Sequence, residues 1–308
     1  MACEIKSCSA PQAIGFDEFC ATLTEGGVDL THEEGAASAA ALLGRLYENR
    51  SFLADIALSE LKAGCKSSRQ DNPYGAQVMM LDRVSGSHFV RANFWPAADD
   101  PLLAISGLGH YAYHLPHDHN FDFVTVGYAG SGYRSRWYEY DYAKVAGYAG
   151  EPVDLIAVEE GALTPGRMLH YRAHRDVHDQ HPPETLSISI NIIPENLNAL
   201  WLDQYHFDLD RRCLSQLPTI GQNEVALRIA AVLSDDGLDL AHDFARHHPS
   251  ERVRWQAWRA LIASHADPRG RAALMETATS DTSALVSGEA RGWLAALTGR
   301  METGVGAD

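Results

Sequence analysis

His117-Asp118-His119-Asn120-Phe121-Asp122-Phe123-Val124-Thr125-Val126-Gly127 is the stretch on which the reading of this chain turns. A strand places residues i and i+2 on one face, so His117 and His119 point the same way, and the apolar alternation after them continues a half-buried strand. Two neutral imidazoles side by side on a sheet are a ready pair of ligands for a divalent transition metal. A solvated, histidine-rich turn at a strand start would carry the same residues. The neighbourhood weighs against the turn, because eight of the 15 histidines fall between His110 and His181, under a quarter of the 308 residues.

Outward from this stretch, strand patterns continue in both directions. Gln77–Val84 and His88–Trp95 read as a β-hairpin around Ser85-Gly86-Ser87. Ile105–His114, Phe121–Val126, Tyr133–Tyr142, Pro152–Val158, Arg167–Ala173, Thr185–Ile193 and Tyr205–Arg211 read as further strands. Gly127, Gly130 and Gly132 mark a tight connection that calls for positive φ. Many short strands without intervening helices indicate an antiparallel sandwich or barrel. Before it, Phe16–Leu23 and Ala36–Lys62 have helical spacing, with a break near Asn49-Arg50-Ser51, an N-cap at Thr31 and a polar link over Ser67–Pro73. These helices are expected to cover the sheet. After Pro218 come helices at Asn223–Leu233, Gly237–Arg246, Glu251–Ser264, Pro268–Thr277 and Ser283–Leu297, and the segment from Pro249 to Ala257 is similar to the inner helices of HEAT-type repeats. The expected class is α+β, divided into 1–72 (helical cover), 73–216 (barrel), 217–300 (helical) and a disordered tail, 301–308.

Composition excludes several functions. With 45% hydrophobic and 21% charged residues the chain reads as globular, and its net charge of -16 repels nucleic acid and anionic membranes. No run of about 18 apolar residues and no signal-peptide pattern appears, so a cytoplasmic protein is expected. The five cysteines form no Cys-x-x-Cys pair, which argues against a disulfide framework and a thiolate zinc site.

A second cluster runs from Glu160 through Pro165-Gly166, His170, His174, His178 and His181 to the apolar strand after Thr185. The two clusters together resemble the cupin superfamily, whose double-stranded β-helix barrels carry His-x-His in a first motif and Pro-x-Gly-x-x-His in a second. That resemblance implies a metal site on His117 and His119. Cupins usually place a Glu after the second His, whereas Phe123 and Val124 stand here and Asp122 has the wrong parity unless a bulge turns it. A three-histidine site without an acid, as in cysteine dioxygenase-like cupins, is therefore expected. For the third ligand, His170 has the usual spacing from Pro165, while His178 resembles the ligand that closes a turn before an apolar strand in oxygenase cupins. His170 and His174 would stand roughly 13 Å apart on a straight strand, too far for one ion. His178 ranks first, then His174, then His170. The surplus also allows two ions, the second on His174, Asp122 or Glu139.

Imidazole ligands suit several metals. The resemblance implies non-haem Fe(II), with Zn, Ni or Mn as alternatives, and an oxygenase or hydroxylase acting with O2 on a small organic molecule, in a chain that could form a homodimer. Arg134 and Arg136 share a strand face with Tyr138 and could clamp a substrate carboxylate if that face is inward, with Glu139 beside them; an outward, charged face is the other reading. His110 and His114 are expected as hydrogen-bonded supports rather than ligands. His242, His247 and His248 are expected at the surface, and Trp255 and Trp258 in a helical core. A redox-neutral metal-dependent isomerase or lyase and a ligand-sensing protein without catalysis are the alternatives.

Overall fold

The computed structural model of the chain describes residues 3–5, 12–64, 75, 77–84, 87–195, 202–216 and 221–303. Among these the chain runs, in order, through β1 (Cys3–Glu4), α1 (Phe16–Glu25), α2 (Glu33–Glu48), α3 (Phe52–Lys62), β2 (Val78–Val84), β3 (His88–Trp95), α4 (Pro101–Ser106), β4 (Phe123–Ala129), β5 (Arg134–Glu139), β6 (Ile156–Ala162), β7 (Met168–Tyr171), β8 (Asp176–His181) and β9 (Ser187–Pro194). There follow β10 (His206–Asp208), β11 (Cys213–Gln216), α5 (Gln222–Leu233), α6 (Asp235–His247), α7 (Glu251–Ser264), α8 (Pro268–Ala278) and α9 (Ala284–Thr303). The described residues fall into two compact units, one from Met1–Asp141 with Leu155–Leu202, the other from Tyr142–Asp154 with Asp203–Asp308. None of the described helices is long and apolar enough to cross a membrane.

The first unit is layered. Its large sheet has the order β1-β7-β4-β9-β3-β2 and its small sheet the order β6-β5-β8, with antiparallel pairing throughout. Side-chain parity explains the layering. Val124, Val126 and Tyr128 of β4, Ile190 and Ile192 of β9, and Val90 and Ala92 of β3 pack with Phe19, Leu43 and Leu46 of the helices. On the opposite face Phe123, Leu169, Tyr171 and Ile193 pack against Trp137 of the small sheet. The large sheet is thus covered on both sides, and β4 is buried almost throughout. The chain is α+β, with helices and antiparallel sheets as expected. Among the described residues no closed barrel forms, since the strands lie in separate sheets.

Several local expectations are corrected. Ile105–His114 is not a strand, because Asp100 accepts from Leu102 N and Pro101 takes a first-turn position, so the local start signal makes α4 and leaves Ile105 82% exposed. Arg167–Ala173 is shorter than expected: β7 ends at Tyr171, the chain turns over 173–175, and a further strand, β8, follows. β6 starts at Ile156, not Pro152. Gly130 and Gly132 have φ of 83° and 80°, but Gly127 does not have positive φ. Gly127 is needed for space, since a Cβ there would stand 2.3 Å from Thr164 O. The N-cap of α2 is His32, because the Thr31 hydroxyl is taken by Asp29. Met301–Thr303 continue α9 instead of a disordered tail; 304–308, the hairpin turn at 85–86 and the polar link over 67–73 lie outside the described residues.

In the second unit, α5 to α9 each pack on their neighbours in sequence, and Trp255 and Trp258 enter the core with Leu261, Leu285 and Val286. His247 is exposed there, while His242 and His248 are half-buried. Arg252 is buried in this unit and paired with Asp203 at 2.6 Å and Glu224 at 2.9 Å, both carboxylates themselves largely buried.

Candidate metal centre

The centre forms where the His117 segment meets β8. His117 N donates to His178 O at 3.1 Å and His178 N donates to His117 O at 3.0 Å, so the two residues are directly opposed and their side chains share a face. His119, two residues on, is tied down from the other side, its carbonyl accepting from His174 N at 2.8 Å. Backbone pairing therefore brings three imidazoles together, all buried: His178 Nε2 lies 3.1 Å from His117 Nε2 and 3.1 Å from His119 Nε2.

Those distances suit an ion better than hydrogen bonds. The single His178 Nε2 would have to serve both neighbours, although a neutral ring nitrogen either donates one proton or accepts through one lone pair. Ligand nitrogens about 2.1 Å from a metal stand roughly 3.0 to 3.4 Å apart at octahedral or tetrahedral angles, the range seen here. The tautomer fits as well. His117 Nδ1 lies 2.7 Å from Leu115 O, an arrangement in which Nδ1–H donates and Nε2 keeps its lone pair for a metal. Burial, then the neighbouring His117, holds His119 and His178 well below the ordinary histidine pKa, so both are neutral and ligand-competent.

This has a measurable consequence in the metal-free protein. In the unfolded chain these histidines take up protons below about 6.5, while in the fold they stay neutral to much lower pH. The unfolded state then binds more protons, so stability is held above pH 6.5 and falls as pH drops through that window. Urea midpoints at pH 7.5 and 5.5 are expected to show this slope, reduced in His119→Gln.

Behind the imidazoles stands an aromatic wall. Trp137, paired with His178 in the sheet, donates from Nε1 to Tyr171 OH at 2.8 Å, and Tyr171 stacks on Phe123 with ring centroids 4.6 Å apart. In front is a cavity of about 160 Å³, lined by the three histidines with Arg91, Asn93, Tyr111, Tyr133, Gln180 and Asn191 among others. Burial raises the Tyr133 phenol to about 12. A more open hollow of about 660 Å³ along Gly26–Ser38 has no such convergence of side chains.

The other expected site residues lie elsewhere. Arg134 and Arg136 point outward, their side chains 58% and 45% exposed, and pair with Glu160 and Asp179; this corrects the inward carboxylate clamp. Tyr138 shares their strand parity and is half-buried. Glu139 is engaged by Arg172 at 2.8 Å and Arg175 at 3.0 Å. His170 Nε2 lies 3.6 Å from Asp122 Oδ1, which also accepts from Ala173 N. Leu169 and Tyr171 fill the inner face, so alternation turns His170 away from the centre. His174 sits at the turn with φ 55°. Among the described residues His170, His174, Asp122 and Glu139 join no group of metal-ligating atoms, whereas His114, Asp179 and His181 form a second one. Sequence reading passed over Arg91, Asn93 and Asn191, although polar residues at alternate positions of otherwise apolar strands were a usable signal for an inner polar face.

No protein-family model matches the chain, and no curated protein matches it. Parts of it are similar to solved structures. A hydroquinone 1,2-dioxygenase in complex with Cd2+ and 4-hydroxybenzonitrile is 10% identical, with 42% of this chain and 69% of that one covered, at a TM-score of 0.25. A DMSP lyase from Ruegeria pomeroyi DSS-3 is 14% identical over 47% of this chain and 64% of that one, at 0.25. A cupin domain from Bordetella pertussis Tohama I is 13% identical over 41% of this chain and 98% of that one, at 0.23.

Proposed function

We propose that this chain is a cupin-type, three-histidine metal enzyme, a non-haem iron oxygenase acting on a small organic anion. The observation that carries the proposal is the convergence of three buried Nε2 atoms, with no carboxylate ligand, on a narrow cavity. Bound there, Fe(II) would supply open coordination positions for O2 and substrate. Three neutral ligands leave the ion its full double charge, which favours anionic partners.

The chain's own residues do the rest. The cavity volume, below the roughly 300–1,000 Å³ of ordinary ligand pockets, restricts the substrate to a few heavy atoms. Arg91 adds positive charge to the lining and suits an anionic group, while Asn93, Gln180 and Asn191 offer hydrogen bonds that orient it. The aromatic wall keeps water from the far side. Among the described lining residues there is no carboxylate, and the raised pKa of Tyr133 makes that phenol a poor base at neutral pH. Both favour oxidation over proton abstraction. The redox-neutral isomerase or lyase has one supporting feature, exposed His110 at the cavity lining, an imidazole of the type that serves as a general base.

Anaerobic loading with Fe(II), followed by O2-uptake measurements with a panel of small carboxylates and phosphonates, tests the reading. Substrate-dependent O2 consumption with iron is expected; turnover without O2 on Zn or Ni would overturn it. In the active protein Arg91→Gln is expected to raise KM for the anion by one to two orders of magnitude, the worth of roughly 1.5–3 kcal/mol for a charged hydrogen bond, with a smaller change in kcat. An unchanged KM would remove Arg91 from substrate binding.

A further inference from the structure

We infer that the chain carries a second, separate divalent-metal site on the outer face of the small sheet, formed by His114, Asp179 and His181. One ligand atom from each lies within 4.8 Å of the others. The site is not another half of the first centre. Successive residues of a strand point to opposite faces, so His178 turns inward to the buried imidazoles while Asp179 and His181 turn outward. The outward turn is visible in the partners: β8 pairs with β5 so that Asp179 faces Arg136 and His181 faces Arg134, the two exposed arginines.

Three observations give the cluster the character of a ligand set. Asp179 is only 2% exposed, yet its Oδ1 has no hydrogen-bond partner, an arrangement that costs free energy in a buried carboxylate unless something occupies it. His114 is held toward His181, with ring centroids 4.6 Å apart, by a backbone bond from His114 N to Gln180 O at 2.8 Å. His114 also adopts φ 55°, a left-handed conformation that a non-glycine residue takes up at a cost. Two nitrogens on one zinc ion can be no further apart than about 4.2 Å, so the cluster closes on an ion by a small rotation, which the exposed His114 ring can make.

Two imidazoles and a carboxylate select a borderline divalent ion such as Zn2+, Co2+ or Ni2+ over Mg2+ or Ca2+. Arg136 is the built-in competitor. Its Nη2 and Nε lie 2.5 and 3.2 Å from Asp179 Oδ2, where His181 Nε2 also sits at 3.0 Å, so metal and guanidinium contend for one carboxylate. Arg136, 45% exposed, can move off into solvent when the ion enters.

Titration of the metal-free full chain with Zn2+, in competition with a chromophoric chelator, tests this. The wild type is expected to take up two equivalents. His114→Ala/His181→Ala, changes at partly exposed positions, should take up one, and Arg136→Gln should tighten the outer site roughly tenfold by removing the competing charge. His117→Ala/His119→Ala should keep one equivalent, which adding His181→Ala removes, so failure of the inner centre is told apart from failure of the outer one. Equal uptake by the wild type and His114→Ala/His181→Ala would overturn the inference, however many ions the inner centre takes, and that comparison decides it whether or not the inner-site variant folds.

Discussion

His178→Ala is expected to abolish metal binding at the inner centre and with it the activity. Its Nε2 is the middle atom of the three, 3.1 Å from each of the other two, so its loss leaves His117 and His119 as a two-coordinate remnant. The fall in affinity should exceed the 10–100-fold typical of changing a partner that only orients a ligand. His170→Ala and His174→Ala, by contrast, are expected to retain the inner ion, since His170 lies by Asp122 and His174 on the turn that holds His119. Elemental analysis of the three variants after dialysis, with circular dichroism to confirm folding, separates them. Full iron content in His178→Ala would mean that the three converging nitrogens are not the ligand set.

Arg252→Ala should be the costliest change in the helical unit, about 3–5 kcal/mol. The guanidinium neutralises two carboxylates, Glu224, as buried as it is, and Asp203, largely buried. Burial already raises the Asp203 pKa while Arg252 holds it down, so removing the cation leaves two negative charges desolvated against each other. Urea unfolding should show a midpoint drop with little change in slope. Replacing all three residues by apolar ones of similar size should recover much of the loss, because the penalty comes from the orphaned charges and not from missing attraction. A loss under about 1 kcal/mol in Arg252→Ala would place the triad in water.

What could be read from the residues follows from which signals were local. His-x-His, the break between α2 and α3, and the bounds of α7 were legible because caps, glycines and side-chain periodicity act within a few residues. The strand β8 was not. Its sequence, Asp-Val-His-Asp-Gln-His, has a single apolar residue, because its inner positions carry His178 and Gln180 and its outer ones Asp179 and His181. Polar side chains on both faces erase the hydrophobic alternation by which a strand is recognised. The same strand carries His178, which the sequence ranked above His174 and His170, and its pairing with His117 is what brings that imidazole beside the other two. Among the described residues the metal-ligating groups number two and meet opposite faces of β8, His117, His119 and His178 on one and His114, Asp179 and His181 on the other. Arg134 and Arg136 were ambiguous for a related reason, since parity shows that residues share a face and not which face is inside.

The excursion between β5 and β6 bears on how the chain is made. Tyr142–Asp154 leaves the sheet unit, and its partners come late: Gly150 N donates to Leu214 O, Val153 N to Arg212 O, and Ala149 N to Glu289 Oε1, 140 positions further on. At roughly 5–20 residues per second of synthesis, the segment waits about 7–28 s for that last contact. A ribosome-bound chain thus holds the strands on both sides of this loop, β5 and β6, well before these late partners exist, with only bonds inside the loop, such as Ala146 N and Gly147 N to the Glu151 carboxylate, available to it. Removing everything after Leu202 would leave the thirteen residues permanently in that nascent condition, so no single cut along the chain yields two finished pieces.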